Sequence, residues 1–126
     1  MLKKSNQMVK NLNLESFQDS VHDFSKDENN WNFKGNKPCI IDFYADWCGP
    51  CKTLGPILED ISEEYEGKVD IYKINTENER ELAAAFGIRS IPSILFIPQG
   101  DKPQMQAGLM DHNAFRGAIK NTLKVV

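Results

Sequence analysis

Cys48 and Cys51, with two residues between them in Trp47-Cys-Gly-Pro-Cys-Lys52, are the side chains whose type and spacing most directly allow chemistry. In the first turn of a helix such a pair brings two sulfurs within bonding distance. The free N–H groups and positive potential of a helix N-terminus favour thiolate over thiol. Cys48 would be that thiolate, while Cys51, one turn further in, would be more buried and act second. Pro50 fits because an N–H in the first turn has no intrahelical partner to lose. The pattern predicts a redox dithiol. Zinc is the competing use of C-x-x-C, but it needs four ligands, and only Cys39, His22 and His112 remain, at unhelpful spacings.

For that chemistry a strand has to deliver Cys48 to the start of a helix. Cys39-Ile-Ile-Asp-Phe-Tyr-Ala45, opened by Pro38, is the nearly continuous apolar run expected of a central strand covered on both faces. After Cys51, Leu54, Ile57, Leu58, Ile61 and Tyr65 recur at helical spacing, and Gly67 supplies a left-handed stop. Upstream, Val9 to Leu12 reads as an edge strand and Leu14 to Val21 as a helix capped by Asn13. Downstream, Val69 to Asn75 reads as a strand, and Thr76-x-x-Glu79 as a capping box for a helix through Leu82, Ala85 and Phe86 that ends at Gly87. Ser93 to Ile97 and Pro103 to Ala107 flank a turn-rich link of hairpin length. Asp111 then caps a last helix with Phe115, Ala118, Ile119 and Leu123 inward. The connection from His22 to Lys37 is polar, yet Trp31 and Phe33 predict an ordered loop packed on the body. His22 and His112 read as surface residues.

Asp42 is an acid inside an apolar strand. Buried without a partner, it would be destabilising when charged and its pKa would rise, which suits a general base. The alternative is an edge strand with Asp42 facing solvent. Cys39 reads as a buried structural thiol, since free cysteine packs as a small hydrophobe.

With 126 residues, 40% hydrophobic and 26% charged, the chain fits one compact domain over 1–126, with 1–8 as a flexible N-terminus and 22–37 as the long ordered loop. A net charge of −3, from interspersed acids and bases, argues against nucleic acid as a partner. Met1-Leu2-Lys3-Lys4 has the charge of an export signal, but Ser5-Asn6-Gln7 stands where an apolar core would be needed. The expected location is the cytoplasm, or the periplasm if a leader had been removed. No stretch reaches the ~20 apolar residues of a membrane helix, so no membrane partner is expected.

The run Ile41-Asp-Phe-Tyr-Ala-Asp-Trp-Cys-Gly-Pro-Cys-Lys52 closely resembles the thioredoxin active-site signature, and Gly87-Ile-Arg-Ser-Ile-Pro92 resembles that family's second hallmark. The resemblance extends from about Val9 to Leu123 and implies a thioredoxin fold: an α/β, three-layer α/β/α sandwich around a mixed sheet of four to five strands. It implies a protein-disulfide reductase with Cys48 as nucleophile and Cys51 as resolving thiol, the two forming the redox disulfide. Asp42 would assist proton transfer, with Lys73 as its partner, although a lysine on a strand is most often simply solvated. Pro92 would follow a cis bond, the alternative being a trans proline opening a strand. Ile91 would offer its backbone to an extended substrate, and Trp47, Gly49, Pro50 and Gly108 would complete the docking rim. Taken singly, Trp47 could be core and Gly108 a mere turn. The implied partners are disulfide-bearing proteins and an NADPH-dependent, flavin-containing thioredoxin reductase. On this reading no cofactor or metal would need to bind the chain, which would work as a monomer. Two rival functions share the fold: an oxidase or isomerase, and a binding subunit without turnover.

Overall fold

The computed structural model describes residues 8–26 and 30–126. Among them, five strands and four helices follow the order β1 (Val9–Asn11), α1 (Leu14–Ser20), β2 (Cys39–Tyr44), α2 (Gly49–Glu64), β3 (Asp70–Asn75), α3 (Arg80–Ala85), β4 (Ser93–Ile97), β5 (Gln104–Ala107) and α4 (His112–Asn121). The strands form one sheet in the order β1-β3-β2-β4-β5. β1, β3 and β2 are mutually parallel, while β4 runs antiparallel to both β2 and β5. The apolar run of β2 thus lies at the centre of a mixed sheet, which rules out the edge-strand reading of Asp42.

Alternation along β2 sends its side chains to two separate cores. Ile40 packs with Leu54, Leu58 and Ile61 of α2 and with Phe115 and Ile119 of α4. Cys39, Ile41 and Phe43 pack with Phe17 of α1 and Leu82 of α3. The result is the three-layer sandwich. Period two also places Asp42 on the face of Ile40, toward α2, with Lys73 and Ile94 as its neighbours across the sheet. Cys39 is buried and unpaired, with its thiol pushed up by burial and by the nearby Asp70.

Asn13 caps α1 through a reciprocal pair, its Oδ1 accepting from Ser16 N (2.8 Å) while Ser16 Oγ accepts from Asn13 N (2.9 Å). Asp111 caps α4 by accepting from Ala114 N at 2.8 Å. The capping box expected at Thr76 does not form. Helix α3 starts at Arg80 with no side-chain cap, and Thr76 Oγ1 donates to Tyr44 O at 3.1 Å. Asn75 Oδ1 organises this turn instead, accepting from Glu77 N at 2.9 Å. Gly87, with φ of 64°, closes α3 in the left-handed conformation expected of it.

The connection after α1 packs on the second core, with Phe24, Trp31 and Phe33 against it. His22 is 2% exposed, which corrects its reading as a surface residue. Its ring stacks on Trp31 at 4.8 Å, and its Nδ1 accepts from Asn32 N at 3.1 Å. A histidine with an aromatic face and a backbone donor waiting is easily buried. Residues 27–29 of this loop, and residues 1–7 of the N-terminal segment, lie outside the described residues. Phe17 holds the loop to the sheet, its ring 5.6 Å from Phe24 and 5.7 Å from Phe86. Phe17→Ala is expected to lower the unfolding free energy by about 3–5 kcal/mol, read as a lower urea midpoint at unchanged slope. A loss under about 1 kcal/mol would contradict this packing.

Candidate active site

β2 ends at Tyr44, and four residues later the chain enters α2 with Cys48 as its N-cap. In that extended conformation (φ −87°, ψ 116°) the Cys48 sulfur turns back over the first turn and accepts from Cys51 N at 3.2 Å. A sulfur thus fills the role usually taken by a serine or aspartate oxygen, facing the positive end of a 16-residue helix. Cys48 and Cys51 form a disulfide with a Cα separation of 5.2 Å. Pro50 falls in the first turn, where its missing N–H costs nothing.

The expected order of burial does not hold: Cys48 is 4% exposed and Cys51, expected to be the more buried, 7%. The reason lies in their neighbours. Cys48 is covered by the loop before β4, with its Sγ 3.8 Å from the Ile91 carbonyl oxygen. Cys51 instead borders a cavity behind the disulfide. The Ile91–Pro92 peptide is cis. Pro92 O accepts from Gly108 N at 2.8 Å, tying in the end of β5. Gly108 adopts a φ of 96° and has open space where a side chain would stand.

Around this centre Trp47, 66% exposed, and exposed Gly49 and Pro50 form one side of a rim. Ile91 and Gly108 border the other side, both partly exposed. Two rim features were not foreseen. Glu77 Oε2 accepts from Trp47 Nε1 at 2.6 Å, holding the indole in place, and Leu109 is a large exposed apolar side chain next to Gly108. Neither stands in a motif. Glu77 is one acid in a polar turn, and only the fold brings it to Trp47.

Asp42 lies behind Cys51. It is 3% exposed, and its Oδ1 has no hydrogen-bond partner. Burial pushes its pKa up to about 7, against the opposing pull of the Lys73 charge. Lys73 is the cross-strand neighbour of Asp42, and its Nζ sits 5.5 Å from the centroid of the Tyr44 ring, a cation–π contact. Asp42, Lys73 and Cys51 all line the cavity of about 320 Å³, together with Gly55 and Glu59 of α2. Gly55 and Glu59 were missed, although the i, i+4, i+8 spacing from Cys51 puts all three on one helix face. The described residues contain no group of three or more His, Cys, Asp or Glu able to hold a metal ion, and no helix long and apolar enough to cross a membrane. A dithiol at a helix N-terminus, a buried carboxyl behind it and an apolar rim in front make a site suited to thiol–disulfide exchange.

Comparison with known proteins gives the same picture. The family model described as Thioredoxin matches residues 8–121. The thioredoxin of Borreliella burgdorferi is 45% identical over 114 residues, spanning 90% of this chain and 97% of its own. That of Rickettsia bellii is 33% identical over 116 residues, 92% of this chain and all of its own. Among solved structures, chloroplastic thioredoxin z superposes with a TM-score of 0.75 at 26% identity, over 98% of this chain and 97% of that one. The chain belongs to the thioredoxin family.

Proposed function

We propose that this protein-disulfide oxidoreductase reduces its targets through Cys48 as attacking thiolate and Cys51 as resolving thiol. The observation that carries this reading is the contact between Cys48 Sγ and the Cys51 amide at the N-terminus of α2, under the cis Ile91–Pro92 loop. In the reduced protein the same amide and helix potential would stabilise a Cys48 thiolate. The thiolate attacks one sulfur of a substrate disulfide, a Cys48–substrate disulfide forms, and the first substrate thiolate leaves. Cys51 then gives its proton to the Asp42 carboxylate and attacks Cys48 Sγ. The Cys48–Cys51 disulfide forms, and the electron pair departs on the second substrate thiolate, which takes a proton from solvent. Substrate has gained two electrons and the dithiol has lost two.

A carboxyl with a pKa near 7 is matched to this transfer at neutral pH, and Lys73 supports the charged form. Trp47, Gly49, Pro50, Ile91, Pro92 and Gly108 would receive an extended substrate segment, with the backbone of Ile91 pairing to it as an added strand. Gly-Pro between the cysteines and the family's reductive relatives favour reduction over oxidation. The dithiol would be restored by an NADPH-dependent thioredoxin reductase, with the chain working as a cytoplasmic monomer.

The reduction potential of the Cys48–Cys51 pair, set against glutathione and dithiothreitol buffers, is expected to be more negative than about −240 mV, near the ~−270 mV of thioredoxins. A value near about −120 mV would indicate an oxidant instead. Cys48→Ser should abolish turnover of a disulfide-bonded reporter protein, while Cys51→Ser should accumulate the mixed disulfide, visible on a non-reducing gel. Trapping by Cys48 in the Cys51→Ser variant distinguishes the order of attack.

Asp42 also makes stability depend on pH. Between the ordinary carboxyl pKa of about 4 and the folded value of about 7, the native state keeps a proton that the unfolded chain has lost. The unfolding free energy therefore falls as pH rises through that window and levels off above it, a loss of up to about 4 kcal/mol at ~1.4 kcal/mol per unit. Asp42→Asn should accordingly be more stable than the parent at pH 8 and lose that advantage by pH 4, measured by urea unfolding at both values. An equal difference at the two pH values would assign the effect to packing rather than charge.

A further inference from the structure

Cys51, Gly55 and Glu59 follow one another at four-residue intervals on α2, so they form a single stripe up one helix face, spanning about 12 Å of axis from first to last. The middle position has no side chain, and a Cβ built there would meet nothing within 4 Å. The stripe therefore opens a gap in the helix wall of the cavity behind the disulfide. That cavity, about 320 Å³, is bounded across from the helix by Asp42 and Lys73, with Val9 of β1 as an apolar wall. The charged or titratable groups facing it are Asp42 and Tyr44 of β2, Asp46 of the following loop, Lys52 and Glu59 of α2, and Lys73 of β3. Asp42 is the fully buried member, and its Oδ1 lacks a partner. Gly55 and Glu59 are partly exposed, so the cavity meets solvent along this stripe.

We propose that this cavity is the proton path of the site, with Gly55 keeping it open to water and Glu59 at its mouth passing protons between solvent and Asp42. The inference rests on Asp42 accepting the Cys51 proton. With burial holding its pKa up to about 7, Asp42 carries a proton in part of the molecules at neutral pH and must lose it before it can take the one from Cys51. A water chain across the gap at Gly55 carries it to the Glu59 carboxylate, which releases it to solvent. No electron moves in this step: Asp42 returns to carboxylate and Glu59 ends as it began. In the return direction the same path supplies the proton to Cys51 as the disulfide is reduced. Glu59 is thus a positioning residue that acts through Asp42, and Gly55 sets the rate at which buried and bulk protons exchange.

The test is single-turnover reduction of a symmetrical small-molecule disulfide by the full-length dithiol protein between pH 6 and 8. The first thiol released reports attack by Cys48 and the second reports resolution by Cys51. Glu59→Gln is expected to leave the first phase unchanged and to slow the second by about tenfold at pH 7, below the ~10²-fold of a directly acting proton-transfer group. Imidazole at constant ionic strength should restore that rate by entering the open cavity. Gly55→Leu, which fills the gap, should slow the second phase without rescue by imidazole. Wild-type second phases in both variants would overturn the proposal, as would a slow Glu59→Gln that imidazole leaves slow. Asp42→Asn serves as the separate check: a wild-type second phase there would remove the underlying role of Asp42, whereas a slow one beside unaffected Glu59→Gln and Gly55→Leu would reject the path alone. Glu59→Gln changes a partly exposed side chain and keeps the test decisive even if Gly55→Leu fails to fold.

Discussion

The bond between the Cys51 amide and the Cys48 sulfur is the contact on which the rest of the site is built. It exists because β2 ends four residues short of α2 and Cys48 takes the extended N-cap conformation, leaving the first-turn amides to face a sulfur. Everything else is arranged around that point. The loop before β4 sets the Ile91 carbonyl over the sulfur, and the hydrogen bond from Gly108 to Pro92 fixes the distance between the two loops that frame it. Orphan amides at a helix start ordinarily seek water or a capping oxygen. Here a sulfur of the cysteine pair uses them, so the contact that caps the helix also sets the surroundings of that sulfur.

Behind the sulfur the same economy reverses. Asp42 occupies a position where β2 would gain from another isoleucine, since Ile40 and Ile94 around it are fully buried. An unpartnered carboxyl there weakens the fold at neutral pH. Lys73 softens this through its charge while its ammonium rests over the Tyr44 ring. The surrounding core has to make up the difference, and two apolar layers packed on a five-stranded sheet are well able to do so. Stability and ionisation compete at one residue, and the raised pKa is the measure of that competition.

Much of this was legible in the sequence because its signals are local. The Cys48–Cys51 spacing, the apolar run of β2, the Asn13 and Asp111 caps and the Gly87 stop each depend on a few neighbouring residues. The order of strands and helices followed from them, and the sandwich from the family resemblance. What escaped notice depends on contacts between distant segments. Thr76 matched a capping box, but its hydroxyl found the Tyr44 carbonyl across the sheet. His22 looked solvated until Trp31 and Asn32 folded over it. Glu77 reached Trp47 only through the turn after β3. The expected difference in cysteine burial failed because the Ile91 loop covers Cys48, and no local pattern encodes how closely a loop lies on a sulfur. Gly55 and Glu59 were readable as a helix stripe, but their meaning required the cavity.

Cys39 sits on the same strand as Asp42 but on the opposite face of the sheet, fully enclosed by the core under α1 and α3. The strand itself therefore separates it from the reactive pair, and a mispaired disulfide with either site cysteine needs the sandwich to come apart. Thiol scrambling during repeated turnover is excluded by topology rather than by redox potential. Its thiol, 1% exposed, meets an alkylating reagent only when the core around it opens, so its rate of labelling reports that opening.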